Sequence, residues 1–160
     1  RRHGLILEQS VGFNLSLSTL DSLARKWILD FRLEESLGER DRADLRIKTR
    51  GLSSSVAELS GGNQQKVLCG RARRCQPRVL FLDEPTKGVD VGAKIEIYEL
   101  INALTERGVA VVLVSSELPE LIGVSDRILI MRQGRIVNEF VRAAATQERL
   151  IAAALGQEVS

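Results

Sequence analysis

The sequence predicts an α/β fold in which a parallel sheet follows a helical first half. Residues 79–82, Val-Leu-Phe-Leu, are apolar without alternation, which is typical of a strand buried on both faces of a parallel sheet. Residues 109–114 form a second run of this kind. Between the two runs, four apolar side chains recur at helical spacing: Ile97, Leu100, Ile101 and Leu104. A strand, a helix and a strand in this order indicate a right-handed βαβ unit.

Helices and loops are predicted ahead of this unit. Residues 14–20 suggest a short turn or helix, and residues 19–30 and 33–47 carry apolar residues at mixed helical spacing. A loop at Gly51 then precedes a helix that begins at Ser60. We therefore expect the first half to be mainly helical.

Smaller elements are predicted in the last third of the sequence. Residues 119–122 suit a short helix, and residues 127–131 and 135–140 flank the Gln-Gly pair at 133–134 as the two strands of a hairpin. Residues 146–155 suit a closing helix. Asp90 is the expected cap of the central helix, because a short carboxylate accepts hydrogen bonds from free first-turn amides.

Composition narrows the classes of function. The 160 residues carry a net charge of +2 and 4% aromatic side chains, so no basic, base-stacking surface for nucleic acid is expected. No strand-like run approaches the ~20 apolar residues of a membrane-spanning helix, and a cytosolic protein is expected. The two cysteines, six positions apart in a predicted helix, are too distant for a disulfide and suggest reduced thiols. Because the sole methionine is Met131, the chain is expected to begin inside a longer protein.

An acidic pair follows the first strand directly. Asp83 and Glu84 are delivered to the carboxyl end of that strand, where open α/β sheets bind ligands. One carboxylate can hold Mg²⁺ through water, while its neighbour orients and activates a water for in-line attack on a γ-phosphate. Taken alone, the pair fits a surface turn after a core strand equally well.

The stretch LSGGNQQK, residues 59–66, places two glycines at a predicted helix start. Glycine is unfavourable inside a helix, but bare backbone there suits an anion, because free amides and the helix dipole converge at that end. The sequence contains no GxxxxGK[ST] phosphate loop, and the Gly-to-Lys segment at residues 88–94 has the wrong spacing. The glycines would therefore meet a phosphate presented by another segment. The alternative is a plain serine cap followed by flexible glycines.

Three stretches in order are more specific than any one of them. LSGGN at residues 59–63, VLFLDE at 79–84 and GVD at 88–90 resemble the signature loop, Walker B strand and D-loop of ABC transporter ATPase domains. The longer stretches LSGGNQQKV, LDEPTKGVDVGAK, VLVSSELPE and SDRILIMRQGRIV resemble the second, C-terminal ATPase half of tandem importers for monosaccharides of the ribose, xylose and galactose type. The resemblance covers nearly the whole chain.

This resemblance implies a fold and a division of the chain. The expected fold is the carboxyl portion of a P-loop NTPase (RecA-like) ABC ATPase core with an α-helical subdomain, incomplete because the Walker A segment is absent. Residues 1–14 would be a remnant of the segment after the Q-loop region, residues 15–75 the helical subdomain ending in the signature helix, and residues 76–160 the carboxyl part of the core. Missing neighbours should leave an apolar sheet face exposed, and the isolated chain is expected to be inactive.

The resemblance also implies the cofactors, ATP and Mg²⁺, and a role for each candidate residue. The signature loop would cap the γ-phosphate of ATP held by a partner ATPase half, with Asp90 in the D-loop close by. Asp83 would hold Mg²⁺ through water, and Glu84 would activate the attacking water. The signature-loop residues are Ser60, Gly61, Gly62 and Asn63.

One position departs from many ABC ATPases. Ser116 stands where many of them carry a histidine that bridges to the γ-phosphate and the water. A serine hydroxyl is short and neutral and supplies neither that reach nor a positive charge. The site built with this acidic pair should therefore be impaired. Serine is also what the resembled sugar-importer half shows.

The expected partners follow from the same resemblance. They are another ATPase half across the nucleotide, membrane permease subunits and, indirectly, a periplasmic or extracellular sugar-binding protein, with the chain on the cytoplasmic side of the inner (plasma) membrane. Three alternatives remain open. One is an importer for nucleosides or other small solutes, and another is a soluble ABC ATPase acting in DNA repair or on ribosomes. The third is a non-catalytic dimerisation module that only offers the Ser60 loop to a partner.

Overall fold

The computed structural model describes residues 4–25 and 28–157, which form two compact units. The first unit runs to residue 80 and resumes over residues 85–111, and the second holds residues 81–84 and the chain from 112 onward. Each unit is described by itself.

Short helical elements open the first unit. Helix α1 (Val11–Ser16) is capped by Ser10, whose side chain accepts a hydrogen bond from the Phe13 amide, and a 3₁₀ turn (Leu17–Thr19) and helix α2 (Leu20–Leu23) follow. These elements agree with the short helix predicted at residues 14–20.

The helix predicted over residues 19–30 is wrong. Strands β1 (Ala24–Arg25) and β2 (Ile28–Leu29) pair antiparallel after α2, and residues 26–27 of the prediction lie outside the described part of the chain. The paired strands interrupt the predicted helix at residue 24, and Asp30 begins the next helix, because its side chain accepts a hydrogen bond from the Leu33 amide.

Two longer helices pack around the core of the first unit. They are α3 (Phe31–Asp44) and α4 (Gly61–Arg74), with a 3₁₀ turn (Val56–Glu58) ahead of α4. Gly70 of α4 lies so close to this core that an added Cβ would be 2.6 and 2.7 Å from side-chain carbons of Leu45 and Leu15. The buried side chains of this cluster are Val11, Leu15, Leu45, Ile47, Val56 and Val67.

A buried ionic cluster joins the carboxyl ends of α3 and α4. Asp41 is 6% exposed and lies 2.6 Å from Arg73 (Oδ1 to Nη2), while its other oxygen contacts Nε of Arg74. Arg73 also contacts Asp44. The Nη1 and Nη2 atoms of Arg74 are buried without a hydrogen-bond partner, so Asp41 is the acceptor that compensates this guanidinium.

Strand β3 (Val79–Asp83), helix α5 (Val91–Glu106) and strand β4 (Ala110–Val114) form the predicted strand-helix-strand sequence. The strands pair with each other, and the Ala110 amide bonds the Arg78 carbonyl at one end. At the other end the Glu84 amide bonds the Val114 carbonyl, which is the order expected of parallel strands. Three of the four predicted stripe residues of α5 are fully buried: Ile97, Ile101 and Leu104.

The prediction that both strands are buried on both faces is wrong. Exposure alternates along β3, where Phe81 is 74% exposed between the buried Leu80 and Leu82. Val112 and Val114 of β4 are exposed too. Only one face of each strand is covered, which agrees with the expected exposed apolar face of an incomplete sheet.

The second unit contains the predicted hairpin between two helices. Helix α6 (Leu118–Val124) precedes the antiparallel strands β5 (Arg127–Arg132) and β6 (Arg135–Val141), and helix α7 (Gln147–Leu155) follows. The hairpin turn has positive φ at residues 133 and 134, as the two-residue turns of right-twisted hairpins require. The core of this unit is Ile128, Ile130, Phe140, Ala145, Leu150 and Ala153. Across the described ranges, none of the helices has both the length and the apolar character to cross a membrane.

Candidate functional site

The start of α4 carries the predicted anion-facing tip. Ser60 caps the helix, and its hydroxyl accepts hydrogen bonds from the backbone amide and the side-chain amide of Asn63, at 3.4 and 2.9 Å. Ser60 and Gly61 are both exposed. First-turn amides that face solvent at the positive end of a 14-residue helix can bind an anion.

The two glycines of the tip differ in their surroundings. A Cβ on Gly62 would lie 2.6 Å from the Cβ of Ala93 and 3.4 Å from Cγ1 of Val89, whereas a Cβ on Gly61 would meet only the Gly88 carbonyl, at 3.7 Å. Gly62 is buried and allows α4 to approach α5 closely. Sequence reasoning assigned both glycines to the ligand, but the contacts of Gly62 lie within its own chain.

The side chain of Asn63 holds the tip of α4 in place through two hydrogen bonds. Its Oδ1 accepts a hydrogen bond from the Lys48 amide at 2.8 Å, and its Nδ2 donates to Ser60. The side chain therefore connects the capping serine to the loop that follows α3.

Two helix starts flank a cavity of about 250 Å³ in the first unit. Ser60, Gly62 and Asn63 line it from α4, and Asp90 lines it from α5. Asp90 caps α5 by accepting a hydrogen bond from the Ala93 amide at 3.0 Å. The structure thus brings the predicted D-loop aspartate and the signature-loop residues to one cavity.

An ion pair between the buried Lys66 and the half-buried Glu96 crosses from α4 to α5 in the wall of this cavity. The Nζ of Lys66 lies 2.7 Å from Oε2 of Glu96 and donates to the Arg46 carbonyl at 2.9 Å. The Lys66 side chain is 2% exposed. Its hydrogen bond lowers the pKa of Glu96 below the ordinary 4.5. Sequence reasoning missed this pair: Lys66 lies within the quoted LSGGNQQKV stretch but was given no role, Glu96 lies outside the quoted stretches, and only the fold pairs them.

The acidic pair belongs to the second unit. Asp83 ends β3 and is exposed, and Glu84 is half-buried with its amide bonded to the Val114 carbonyl at 2.8 Å. Glu84 has a φ of +48°, in the left-handed region that costs a non-glycine residue about 1–2 kcal/mol. Strained backbone of this kind clusters at functional sites, and the sequence gives no signal of it.

Ser116 lies at the same sheet edge as Glu84. It is exposed and comes two residues after Val114, the strand end whose carbonyl accepts from Glu84. The preceding Ser115 is occupied locally: its hydroxyl contacts the buried Glu120 and accepts from the Glu117 amide at 3.0 Å. Ser116 is therefore an exposed residue just beyond the end of the strand that pairs with the Glu84 amide.

The carboxylates at this edge of the sheet fit a magnesium ion that takes most of its ligands from water and phosphate. Across residues 4–25 and 28–157, no group of three or more His, Cys, Asp and Glu side chains could hold a metal ion. Mg²⁺ usually keeps several waters and takes one or two carboxylates together with substrate phosphates. The single exposed carboxylate of Asp83 suits that mode. The exposed backbone of Gly61 at the start of α4 likewise suits a phosphate.

A serine-capped glycine tip and an acidic pair at the end of a parallel strand are typical of α/β proteins that bind phosphate. The sequence profile described as "ABC transporter" matches residues 4–87, and the chain belongs to this family. The family predicted from the three motifs is confirmed.

Among the curated proteins similar to this chain are ATP-binding proteins named for xylose or ribose import. The chain is 51% identical over 160 residues to the xylose import ATP-binding protein XylG of Moorella thermoacetica, covering 98% of this chain and 31% of that protein. It is 48% identical over 152 residues to the ribose import ATP-binding protein RbsA 2 of Streptomyces coelicolor, covering 95% of this chain and 29% of that protein. The chain thus spans less than a third of the length of these relatives.

Solved structures confirm the fold class. One is an ATP-binding cassette of an ABC transporter in its ADP conformation, with a TM-score of 0.68 and 25% identity over 94% of this chain and 60% of that one. Another is a dimeric cassette in a post-hydrolysis state bound to ADP and Pi, with a TM-score of 0.73 and 22% identity over 89% of this chain and 60% of that one. The second likeness bears on the fold alone.

Proposed function

We propose that this chain is part of the ATP-hydrolysing subunit of an ABC importer that energises monosaccharide uptake. The observation that carries the proposal is the exposed, serine-capped tip of α4 beside Asp90, in a sequence without a phosphate loop of its own. Such a tip can serve a phosphate held by another polypeptide segment. The names of the xylose and ribose import relatives support the sugar as the transported solute.

The tip caps the terminal phosphate of ATP in trans. Ser60 and the Gly61 amide face solvent and act as hydrogen-bond donors, while Asn63 fixes the serine and Gly62 fixes the distance of the tip from α5. Asp90 holds the start of α5 beside the same cavity. ATP, when bound, supplies the phosphate whose negative charge these amides neutralise.

The acidic pair would serve a different part of the reaction, which needs a metal ion and an attacking water molecule. Asp83 would hold Mg²⁺ through its bound waters, the ion would help to neutralise the phosphate charge, and Glu84 would accept the proton of the attacking water. Ser116 contributes a neutral hydroxyl at this edge, so the local site is slower than one that has an imidazole there. This arrangement fits a protein with two unequal ATP sites.

The proposal includes partners and a location. A second ATPase half faces the tip, permease subunits couple the pair to the membrane, and an external sugar-binding protein delivers the solute. The chain then works at the cytoplasmic side of the membrane. Residues 15–75 would act as the helical subdomain and residues 76–160 as the carboxyl part of the core.

The test is Glu84→Gln in the complete protein assembled with its permease. Loss of a general base slows the affected site about 100-fold, so we expect a clear fall in ATPase rate and in uptake of labelled xylose or ribose. Ser116→His is the matched gain-of-function variant, and it should raise the rate if this acidic pair hydrolyses ATP. An unchanged rate in both variants would contradict the hydrolytic role. It would favour the passive alternative, which Ser116 supports, in which this half only completes the partner's site.

A further inference from the structure

Lys66 joins three elements of the first unit at one buried atom. Its ammonium contacts Glu96 of α5 at 2.7 Å and the carbonyl of Arg46 at 2.9 Å, and its side chain is 2% exposed. Arg46 follows α3 in a left-handed conformation, with a φ of +51°. A buried charge is tolerated only when it is paired and hydrogen-bonded, so these three groups are held together.

Position along the helices gives the pair a geometric role. Lys66 lies four residues after Gly62 and therefore on the same face of α4, and Glu96 lies three residues after Ala93 on the same face of α5. The Gly62–Ala93 contact sets the distance between the helices at the tip. The ion pair, one turn further on, adds a second contact that fixes their relative tilt.

The loop after α3 is held at two points by the same arrangement. Lys66 binds the Arg46 carbonyl, and Asn63 binds the Lys48 amide at 2.8 Å. The same Asn63 side chain contacts Ser60, so the capping serine, the loop and α5 are connected through α4.

We propose that Lys66 and Glu96 are positioning residues that hold the Ser60 tip and the Asp90 cap as one rigid body. The Ser60 tip and the Asp90 cap then approach the partner's nucleotide together, with a fixed distance and orientation between them. The catalytic consequence rests on the proposed function, whereas the rigid coupling of the two helix starts does not.

Hydrogen exchange on the complete protein without nucleotide tests the coupling. Lys66→Met keeps most of the side-chain volume and removes the charge, and we expect exchange to accelerate about 10-fold at residues 61–66 and 91–96 together. Glu96→Gln is a milder second variant at a half-buried position and should affect the same two segments. Asp41→Asn is the matched control, because it breaks the buried ion cluster at the other end of α4. It should accelerate exchange at residues 70–75 and leave residues 91–96 unchanged.

Two exchange results would overturn the inference. One is unchanged exchange at residues 91–96 in Lys66→Met and Glu96→Gln. The other is equal acceleration at residues 91–96 in the Asp41→Asn control, which would show general loosening of the unit.

Steady-state kinetics test the catalytic consequence. The tip meets the phosphate only in the closed state, so either Lys66→Met or Glu96→Gln should lower kcat about 10-fold, with KM changed by less than about twofold. The double variant should be no slower than the singles, because the two residues act as a unit. A multiplicative loss, or an equal loss of kcat in Asp41→Asn, would contradict the positioning role. An unmodified protein that lacks ATPase activity would instead refute the proposed function, and the exchange result would still decide the coupling.

Discussion

For the two glycines of the α4 tip, we predict different effects on stability when each is replaced by alanine. In Gly62→Ala the new Cβ would lie 2.6 Å from the Cβ of Ala93, well inside ordinary contact distance. No side-chain rotation can relieve a contact between two Cβ atoms, so the helices must separate, and overpacking of this kind costs about 1–3 kcal/mol. The better helix propensity of alanine returns at most about 1 kcal/mol. In Gly61→Ala the nearest atom is 3.7 Å away, and the free energy of unfolding should be unchanged or slightly raised.

Thermal unfolding followed by circular dichroism measures this difference. For a chain of this size, each kcal/mol shifts Tm by about 2–4 °C. With a cost of about 2 kcal/mol from overpacking and a gain of about 1 kcal/mol from helix propensity, we expect Gly62→Ala to lower Tm by about 2–4 °C and Gly61→Ala to leave it unchanged or slightly raised. In the complete protein, Gly61→Ala should still reduce the ATPase rate, because its methyl group adds bulk at the exposed backbone that a phosphate would approach. Stability and activity are thereby separated at adjacent positions.

A compensating variant sharpens the test. Ala93→Gly removes the opposing Cβ, so the double variant Gly62→Ala/Ala93→Gly should be more stable than the sum of the two single changes. A Gly62→Ala protein with unaltered Tm would refute the close-approach argument. So would a larger loss of stability in Gly61→Ala than in Gly62→Ala.

Three further outcomes are expected from other parts of the chain. Asp41→Ala removes the carboxylate shared by the half-buried Arg73, which keeps Asp44, and the nearly buried Arg74, and it should lower the urea-measured free energy of unfolding by about 3 kcal/mol; a loss below about 1 kcal/mol would place this cluster among ordinary surface pairs. Burial raises the pKa of the Cys69 thiol to about 11, so at pH 8 a thiol reagent should label the exposed Cys75 quickly and Cys69 only on unfolding, whereas rapid labelling of both would contradict the burial. Glu84→Gly should be more stable than Glu84→Ala by about 1 kcal/mol in chemical denaturation, because only glycine adopts a φ of +48° without strain; the reverse order would contradict the left-handed backbone.

Sequence patterns correctly predicted the elements that depend only on residues close together in the chain. The caps at Ser60 and Asp90 form as expected, because a short side chain beside free amides needs only its own first turn. The hairpin at residues 133–134 follows from turn chemistry, and the buried stripe of α5 follows from helical spacing. The family was predicted because three motifs stand in order along one chain.

Features that depend on contacts between distant residues escaped sequence reasoning. The burial of β3 depends on what covers each face, which the apolar run at residues 79–82 does not encode. Likewise, the role of Gly62 and the pairing of Lys66 depend on α5, which lies about 30 residues further along the chain.

Helix α4 is attached near both ends, and this limits how far its first turn can move. Its 14 residues span about 21 Å at 1.5 Å per residue, with the arginine-aspartate cluster at one end and the capping serine at the other. If only the cluster held the helix, a tilt of about 5° there would move the serine hydroxyl through ~2 Å, the difference between a hydrogen bond and no contact. The contacts of Gly62 and Lys66 with α5 oppose such a tilt, so small rotations of α3 are not passed on to the point where an anion would bind.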